Sequence, residues 1–320
     1  MAIRTVLVLG GSGFIGGHVL AKLQETDWRV VVATRHYEHA KHLLELPTVE
    51  DVVEADVHDD AALNRLMFGI DAVINLVGIL HSRPGDPYGP DFARAHVELP
   101  RRIVAACAAN GVHRYLHMSA LGAATDGPSM YLRSKGDGEA AAFSNPALNT
   151  TAFRPSVVFG DNDRFLNLFA SMERFLPVML VASADTKFQP VYVEDVAQAF
   201  VYTLDNERTF GHVYELAGPK VYTLRELVRL AGVYTGHPRP VIGLPESLGR
   251  MQAMLLEHLP GEPLMTRDNL DSMKVDSVAS APVDPELGIS LTPLEAVAPY
   301  YLTGQKPHSG VQAVHIRPRR

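Results

Sequence analysis

The chain has 320 residues, 47% hydrophobic and 20% charged, with a net charge of −7 at pH 7. That length supports one large α/β domain, or one domain with a smaller appendage. The acidic balance argues against a nucleic-acid partner, which wants a basic face, and the single cysteine, Cys107, excludes an internal disulfide framework and a cysteine-rich zinc site.

Val6-Leu7-Val8-Leu9 is an apolar run of strand length that ends in glycines three apart, Gly10, Gly13 and Gly16. Phe14, Ile15, Val19, Leu20 and Leu23 then fall near a helical period, so the spacing predicts strand, tight turn, helix. Each glycine meets a different need. Gly10 lets the chain turn, Gly13 lets backbone approach a pyrophosphate, and Gly16 lets the helix pack on the strand. The N–H groups of Ser12, Phe14 and Ile15, at the positive end of the helix dipole, face an anion. A dinucleotide-binding turn is therefore expected here, against the plainer alternative of a strand–helix turn without ligand.

The second strand is predicted over 29–34. In a dinucleotide fold its carboxyl end meets the adenosine ribose, where an acid accepts from the hydroxyls. Here it ends in Thr34-Arg35-His36, with no acid before Glu38. Arg35 suits a 2′-phosphate, which favours NADP(H) over NAD(H), against the plainer alternative of a surface arginine capping the strand end. A helix over 38–46 and a strand over 49–54 follow. Asp56, with Val57 beside it, comes next; its carboxylate suits an adenine amino group, the cap of a helix over 59–67, or a turn. His36, His39 and His42 share a helical spacing but have no acid or cysteine partner placed beside them, so they read as a solvated face and no metal is expected.

The fourth strand, 71–76, runs into Leu76-Val77-Gly78, whose backbone is expected to line the cofactor. Residues 81–90 are rich in proline and glycine and read as loop. An unbroken helix is predicted over 92–110, stopped by Gly111. A fifth strand over 113–118 leads to Ser119. Tyr131 and Lys135, four apart, share one face of the next helix. A nearby ammonium favours the phenolate and so draws a phenol toward neutrality as a proton donor or acceptor. The Ser119 hydroxyl could hold a substrate oxygen. Alone, such a tyrosine–lysine pair is common on solvated helices; after a dinucleotide turn it reads as a reactive pair.

Gly10-x-x-Gly13-x-x-Gly16, Asp56-Val57, Asn75-x-Val77-Gly78, Tyr131-x-x-x-Lys135 and Arg154-Pro155-Ser156-Val157-Val158-Phe159-Gly160 together resemble the short-chain dehydrogenase/reductase superfamily, in its extended or atypical, epimerase/dehydratase-like branch. The resemblance implies an α/β fold: a Rossmann doubly wound parallel sheet over 1–160 and a smaller mixed C-terminal lobe, mainly 161–303, with segments near 188–216 returning to the core. It also implies that Pro155 and Val157 line the nicotinamide end, that Tyr131 moves a proton, and that Lys135 fixes the ribose. Two departures stand out. Catalytic members commonly carry the active Ser or Thr one residue past Ser119, where this chain has Ala120. The usual tyrosine–glycine element before Tyr131 is missing. A narrower set, including Val77-Gly78-Ile79-Leu80, His96-Val97-Glu98, Met118-Ser119-Ala120-Leu121-Gly122-Ala123 and Phe188-Gln189-Pro190-Val191, is similar to the NAD(P)H-binding accessory subunit family of respiratory complex I, peripheral proteins that hold a nucleotide firmly.

In the second half, a helix is expected after Asp161, a strand near 188–193 and a helix over 194–204. Short strands are expected at 213–216 and Tyr222, and Thr223 with Glu226 forms a capping box for the next helix. A helix over 245–259 carries Met251 and Met254 on a face that reads as core, with an adaptable partner surface as the alternative. Residues 304–320, ending His315-Ile316-Arg317-Pro318-Arg319-Arg320, read as a mobile tail. No stretch has the length of a membrane span and no leader is expected, so the expected place is the cytoplasm, with at most peripheral contact at the inner face of the cytoplasmic membrane.

Three functions fit these residues: a complex I accessory or assembly protein with NADP(H) as a structural element, an active NAD(P)-dependent oxidoreductase or epimerase/dehydratase, and a nucleotide-sensing regulator. Fold alone does not choose among them.

Overall fold

The computed structural model describes residues 4–258 and 263–304. Its first half alternates strand and helix: β1 (Arg4–Leu9), α1 (Phe14–Leu23), β2 (Trp28–Thr34), α2 (Tyr37–Ala40), β3 (Val49–Glu54), α3 (Asp60–Leu66), β4 (Ala72–Asn75), α4 (Pro90–Phe92), α5 (Leu99–Asn110), β5 (Arg114–Met118), α6 (Met130–Ala142) and β6 (Asn149–Pro155). The second half is more mixed: β7 (Val158–Phe159), α7 (Leu166–Phe175), β8 (Met179–Ala182), β9 (Lys187–Phe188), β10 (Val191–Tyr192), α8 (Val193–Thr203), β11 (Val213–Leu216), β12 (Tyr222–Thr223), α9 (Leu224–Tyr234), β13 (Val241–Leu244), α10 (Glu246–Glu257), α11 (Arg267–Ser272) and α12 (Leu294–Leu302).

Seven strands form one sheet in the order β11-β6-β5-β4-β1-β2-β3, every pair parallel. Parallel pairs need crossovers, and helices therefore cover both faces. Alternation along β1 shows the two layers. Val6 and Val8 pack with Val19 and Leu20 of α1 and with Val196 and Phe200 of α8. Leu7 and Leu9 face Leu63 of α3 and Leu99, Ile103 and Cys107 of α5. Burial on both sides explains why these strands read as continuous apolar runs. This is the doubly wound Rossmann arrangement, with its order reversing between β1 and β4. A separate core, built from Phe159, Leu166, Phe169, Leu224, Leu227 and Leu294, holds much of the second half together.

Three expectations are corrected. The helix over 38–46 is one α turn, α2, followed by a 3₁₀ segment, Lys41–Glu45; Leu46 precedes Pro47, which disfavours α geometry there. The helix over 92–110 is broken by a π segment, Ala93–Glu98, in which the Leu99 N–H reaches back to Arg94 O. Pro100 explains the widening: in a regular helix its ring would press on the His96 carbonyl, to which it has no N–H to offer. The methionine face of α10 is not core. Gly249 and Ala253 are buried, whereas Leu248, Met251, Met254 and Leu255 are exposed; small residues, not methionines, give the close approach to Ala182. Among the described residues no helix is long and apolar enough to cross a membrane. The expected tail over 305–320 lies outside the described residues.

Candidate functional site

Parallel strands bring their carboxyl ends to one edge. Gly10 leaves β1 there, Arg35 follows β2, and Asp56 and Val57 follow β3. Leu76, Val77 and Gly78 follow β4, Ser119 follows β5, Pro155 closes β6, and Val157 comes just beyond. The strand order reverses between β1 and β4, the place at which neighbouring crossovers diverge in a doubly wound sheet.

The glycine turn is packed on one side and open on the other. Gly10 has φ +82°, and a Cβ there would meet the Leu76 carbonyl carbon at 3.1 Å. At Gly16 a Cβ would fall 2.3 Å from Gly10 O, so only glycine lets α1 approach the turn. Gly13 differs: its added Cβ would touch only Gly10 O, at 3.2 Å, and Ser12 and Gly13 are both exposed. No side chain caps α1 and its first turn holds no acid. The leading amides are thus left for an external anion. Phe14 and Ile15 are half-buried on that first turn. A cradle that a side chain would fill, with free amides above it, fits a pyrophosphate.

The strand end after β2 carries no competing acid. Arg35 is exposed and has no partner among the described residues. Glu38 pairs with Lys41 at 2.5 Å, and Glu54 accepts from the Tyr37 N–H at 2.6 Å. Asp56 is not the cap of α3. That cap is Asp59, which accepts from Ala62 N–H at 2.6 Å. Asp56 instead accepts from His58 N–H at 2.9 Å and meets Arg94 at 3.3 Å. Among the described residues no cluster suits a metal ion.

The helix α6 brings Tyr131 and Lys135 to the same edge. Lys135 is buried and donates to Met118 O at 2.6 Å, at the end of β5. Burial lowers its ammonium to about 8, against the upward pull of Glu139. Tyr131 lies edge-on to His96 and Phe92, with ring centroids 5.6 Å and 5.9 Å away. Burial pushes its phenol up to about 12. The expected draw toward neutrality is therefore not met; burial acts on the phenol, while the amine is held by a carbonyl. Ser119 is buried with no hydrogen-bond partner for its hydroxyl among the described residues, so that group is free to serve a ligand.

Two supports were not legible as such in the sequence. His96, opposite Tyr131, accepts from the Ile79 N–H at 3.1 Å through Nε2, and its Nδ1 lies 2.8 Å from Ser134 Oγ, which donates to Tyr131 O. This chain of bonds fixes one neutral tautomer, and burial holds the imidazole well below its usual range. Asp268, on α11, accepts from the N–H groups of Met130 and Tyr131. Its only local pattern is Thr266-Arg267-Asp268-Asn269, which suits the start of a short helix.

A model of the NAD dependent epimerase/dehydratase family matches residues 6–217. The chain is 31% identical over 290 residues to NADH dehydrogenase (ubiquinone) 1 alpha subcomplex subunit 9, mitochondrial, of Arabidopsis thaliana, covering 85% of this chain and 70% of that protein. It is 31% identical over 294 residues to the protein of the same name from Rattus norvegicus, covering 90% and 77%. Among solved structures it superposes on MoeE5 in complex with UDP-glucuronic acid and NAD, with a TM-score of 0.69 at 20% identity over 94% of this chain and 97% of that one. UDP-glucuronic acid 4-epimerase from Bacillus cereus gives a TM-score of 0.63 at 18% identity over 85% and 99%. At such identities the two structures speak for the fold.

Proposed function

The chain belongs to the NAD dependent epimerase/dehydratase family, and from that premise we propose that it binds a nicotinamide dinucleotide, NADP(H) in preference to NAD(H), as an accessory or assembly protein of respiratory complex I. The observation that carries this reading is the 31% identity to mitochondrial NADH dehydrogenase (ubiquinone) subunits, spread over 85% and 90% of the chain rather than over the glycine turn alone. In this reading the Gly10–Gly16 turn, with the amides of Ser12, Phe14 and Ile15, holds the pyrophosphate. Arg35 meets the 2′-phosphate, and Asp56 and Val57 border the adenine. Leu76, Val77 and Gly78 line the cofactor, Pro155 and Val157 line its nicotinamide end, and Tyr131 and Lys135 hold the nicotinamide ribose. A bound nicotinamide supplies a hydride-exchanging ring. The chain's own residues bind it, orient it and shield it. The protein is then peripheral, at the face of the membrane that carries the complex.

One observation favours a second reading, a working NAD(P)-dependent oxidoreductase or epimerase/dehydratase. The Ser119 hydroxyl is buried without a partner among the described residues, as a group that orients a substrate oxygen would be. Tyr131 would then give its proton to that oxygen while Lys135 fixes the ribose.

Affinity purification of the tagged full chain from detergent-solubilised membranes of its source tests the choice. Complex I subunits are expected alongside it. A lone protein whose substrate-driven oxidation of NADPH disappears in Tyr131→Phe replaces the accessory reading with the enzymatic one. For the cofactor, titration is expected to give NADPH about tenfold tighter than NADH, with the difference erased in Arg35→Ala. Equal affinities in the unaltered protein overturn the NADP preference.

A further inference from the structure

The first turn of α6 is held by a residue 137 positions away in sequence. Asp268 accepts from the Met130 N–H at 2.7 Å and from the Tyr131 N–H at 3.0 Å. One turn along α11, Ser272 donates to the hydroxyl of Ser129 at 2.8 Å. Ser129 is the N-cap of α6 and accepts from the Leu132 N–H at 3.1 Å. A carboxylate placed on the leading amides of a helix also meets the positive end of its dipole. With six residues, α11 is too short to hold itself in water. Its place is set by the Thr266–Asn269 capping box and by two ion pairs to α10, Arg250–Asp271 at 2.9 Å and Arg267–Glu257 at 3.0 Å.

We propose that Asp268 is a positioning residue: it fixes the Tyr131 backbone from the C-terminal lobe and thereby sets the phenol against the nicotinamide ribose. This rests on the reading of Tyr131 as a nucleotide contact. Without Asp268 the first turn of α6 loses two of its amide acceptors and frays, and Tyr131 lies in that turn. Lys135 is a turn deeper and keeps its own anchor on Met118 O. The loss therefore falls on the nicotinamide end of the ligand and spares the adenosine end.

The test is a double-mutant cycle on the full chain, read by titration with NADPH and with 2′-phospho-ADP, which lacks both the nicotinamide and its ribose. Tyr131→Ala and Asp268→Ala are each expected to weaken NADPH by about tenfold and to leave the fragment's affinity unchanged. The double variant is expected to be no weaker than either single one. Asp268→Asn keeps the shape and one acceptor oxygen, so it is expected to fall between, and it carries the test if Asp268→Ala does not fold. Equal losses for both ligands, or additive losses in the cycle, mark a merely structural role and overturn the inference. So does unchanged NADPH binding in the Asp268 variants. If the unaltered protein binds neither ligand, the nucleotide reading itself fails and takes this inference with it.

Discussion

Gly13 and Gly16 lie in one turn yet answer to different forces. Gly16 is required by the fold, because an added Cβ falls 2.3 Å from a backbone oxygen that cannot move without opening the turn. Gly16→Ala is expected to cost about 3 kcal/mol of stability, seen as a lower denaturation midpoint in urea. Gly13 faces outward, with only a 3.2 Å contact to relieve. Gly13→Ala is expected to move the midpoint by less than about 1 kcal/mol and yet weaken NADPH at least tenfold in the same titration, because the methyl group occupies the approach to the pyrophosphate. A Gly13→Ala protein that binds NADPH normally would place the phosphates elsewhere.

At the scale of elements, two helix contacts carry consequences. The π segment before Pro100 turns the His96 carbonyl toward α6, where a Cβ on Gly138 would lie 1.9 Å from it. Gly138→Ala is expected to destabilise the protein by about 2–3 kcal/mol, despite the better helix propensity of alanine. An unchanged thermal midpoint would contradict that contact. The second is Glu173 of α7, wholly buried against Gly232 of α9, with neither carboxylate oxygen hydrogen-bonded among the described residues. Arg239 gives its Nε–H to the Glu173 main-chain oxygen instead. Burial pushes the Glu173 carboxyl up to about 7, more than the Arg239 charge pulls it down. A carboxyl raised in the folded state contributes its stability below its ordinary pKa and loses it as pH rises through about 7. Glu173→Gln is thus expected to match the parent at pH 4 and to exceed it by on the order of 3 kcal/mol at pH 8.5, measured by urea unfolding at both values.

Across the whole molecule, the sheet is not finished by the first half of the chain. β11 supplies its seventh strand, pairing Val213 with Ala152, Tyr214 with Phe153 and Glu215 with Arg154. Val196 and Phe200 of α8 close the core over α1. A fragment ending at Gly160 would leave β6 as an open edge and that core uncovered. It is expected to lack a cooperative thermal transition, whereas the full chain is expected to melt in one transition that NADPH at 100 times its Kd raises by the equivalent of about 2.7 kcal/mol. A fragment that melts cooperatively would show that the first half folds as a unit.

The order of elements, and the edge at which the site forms, can be read from local patterning alone. Alternating strands and helices force a parallel sheet, and a parallel sheet collects every strand end on one side. The glycine spacing, the strand end at Arg35 and the Tyr131–Lys135 pair are local patterns, each readable within a few residues. Other features depend on contacts between distant segments. The upward push on the Tyr131 phenol follows from burial, and the Lys135 amine is anchored on a carbonyl of another element. The exposure of the α10 methionines follows from which helix face meets Ala182. The π segment follows from Pro100 acting together with α6 packed at Gly138. The hold of Asp268 on α6 joins residues with no relation in local pattern. Periodicity encodes the direction of a side chain along its own element. Burial, charge and hydrogen-bond partners depend on what packs against it, and that is set only when the chain has closed.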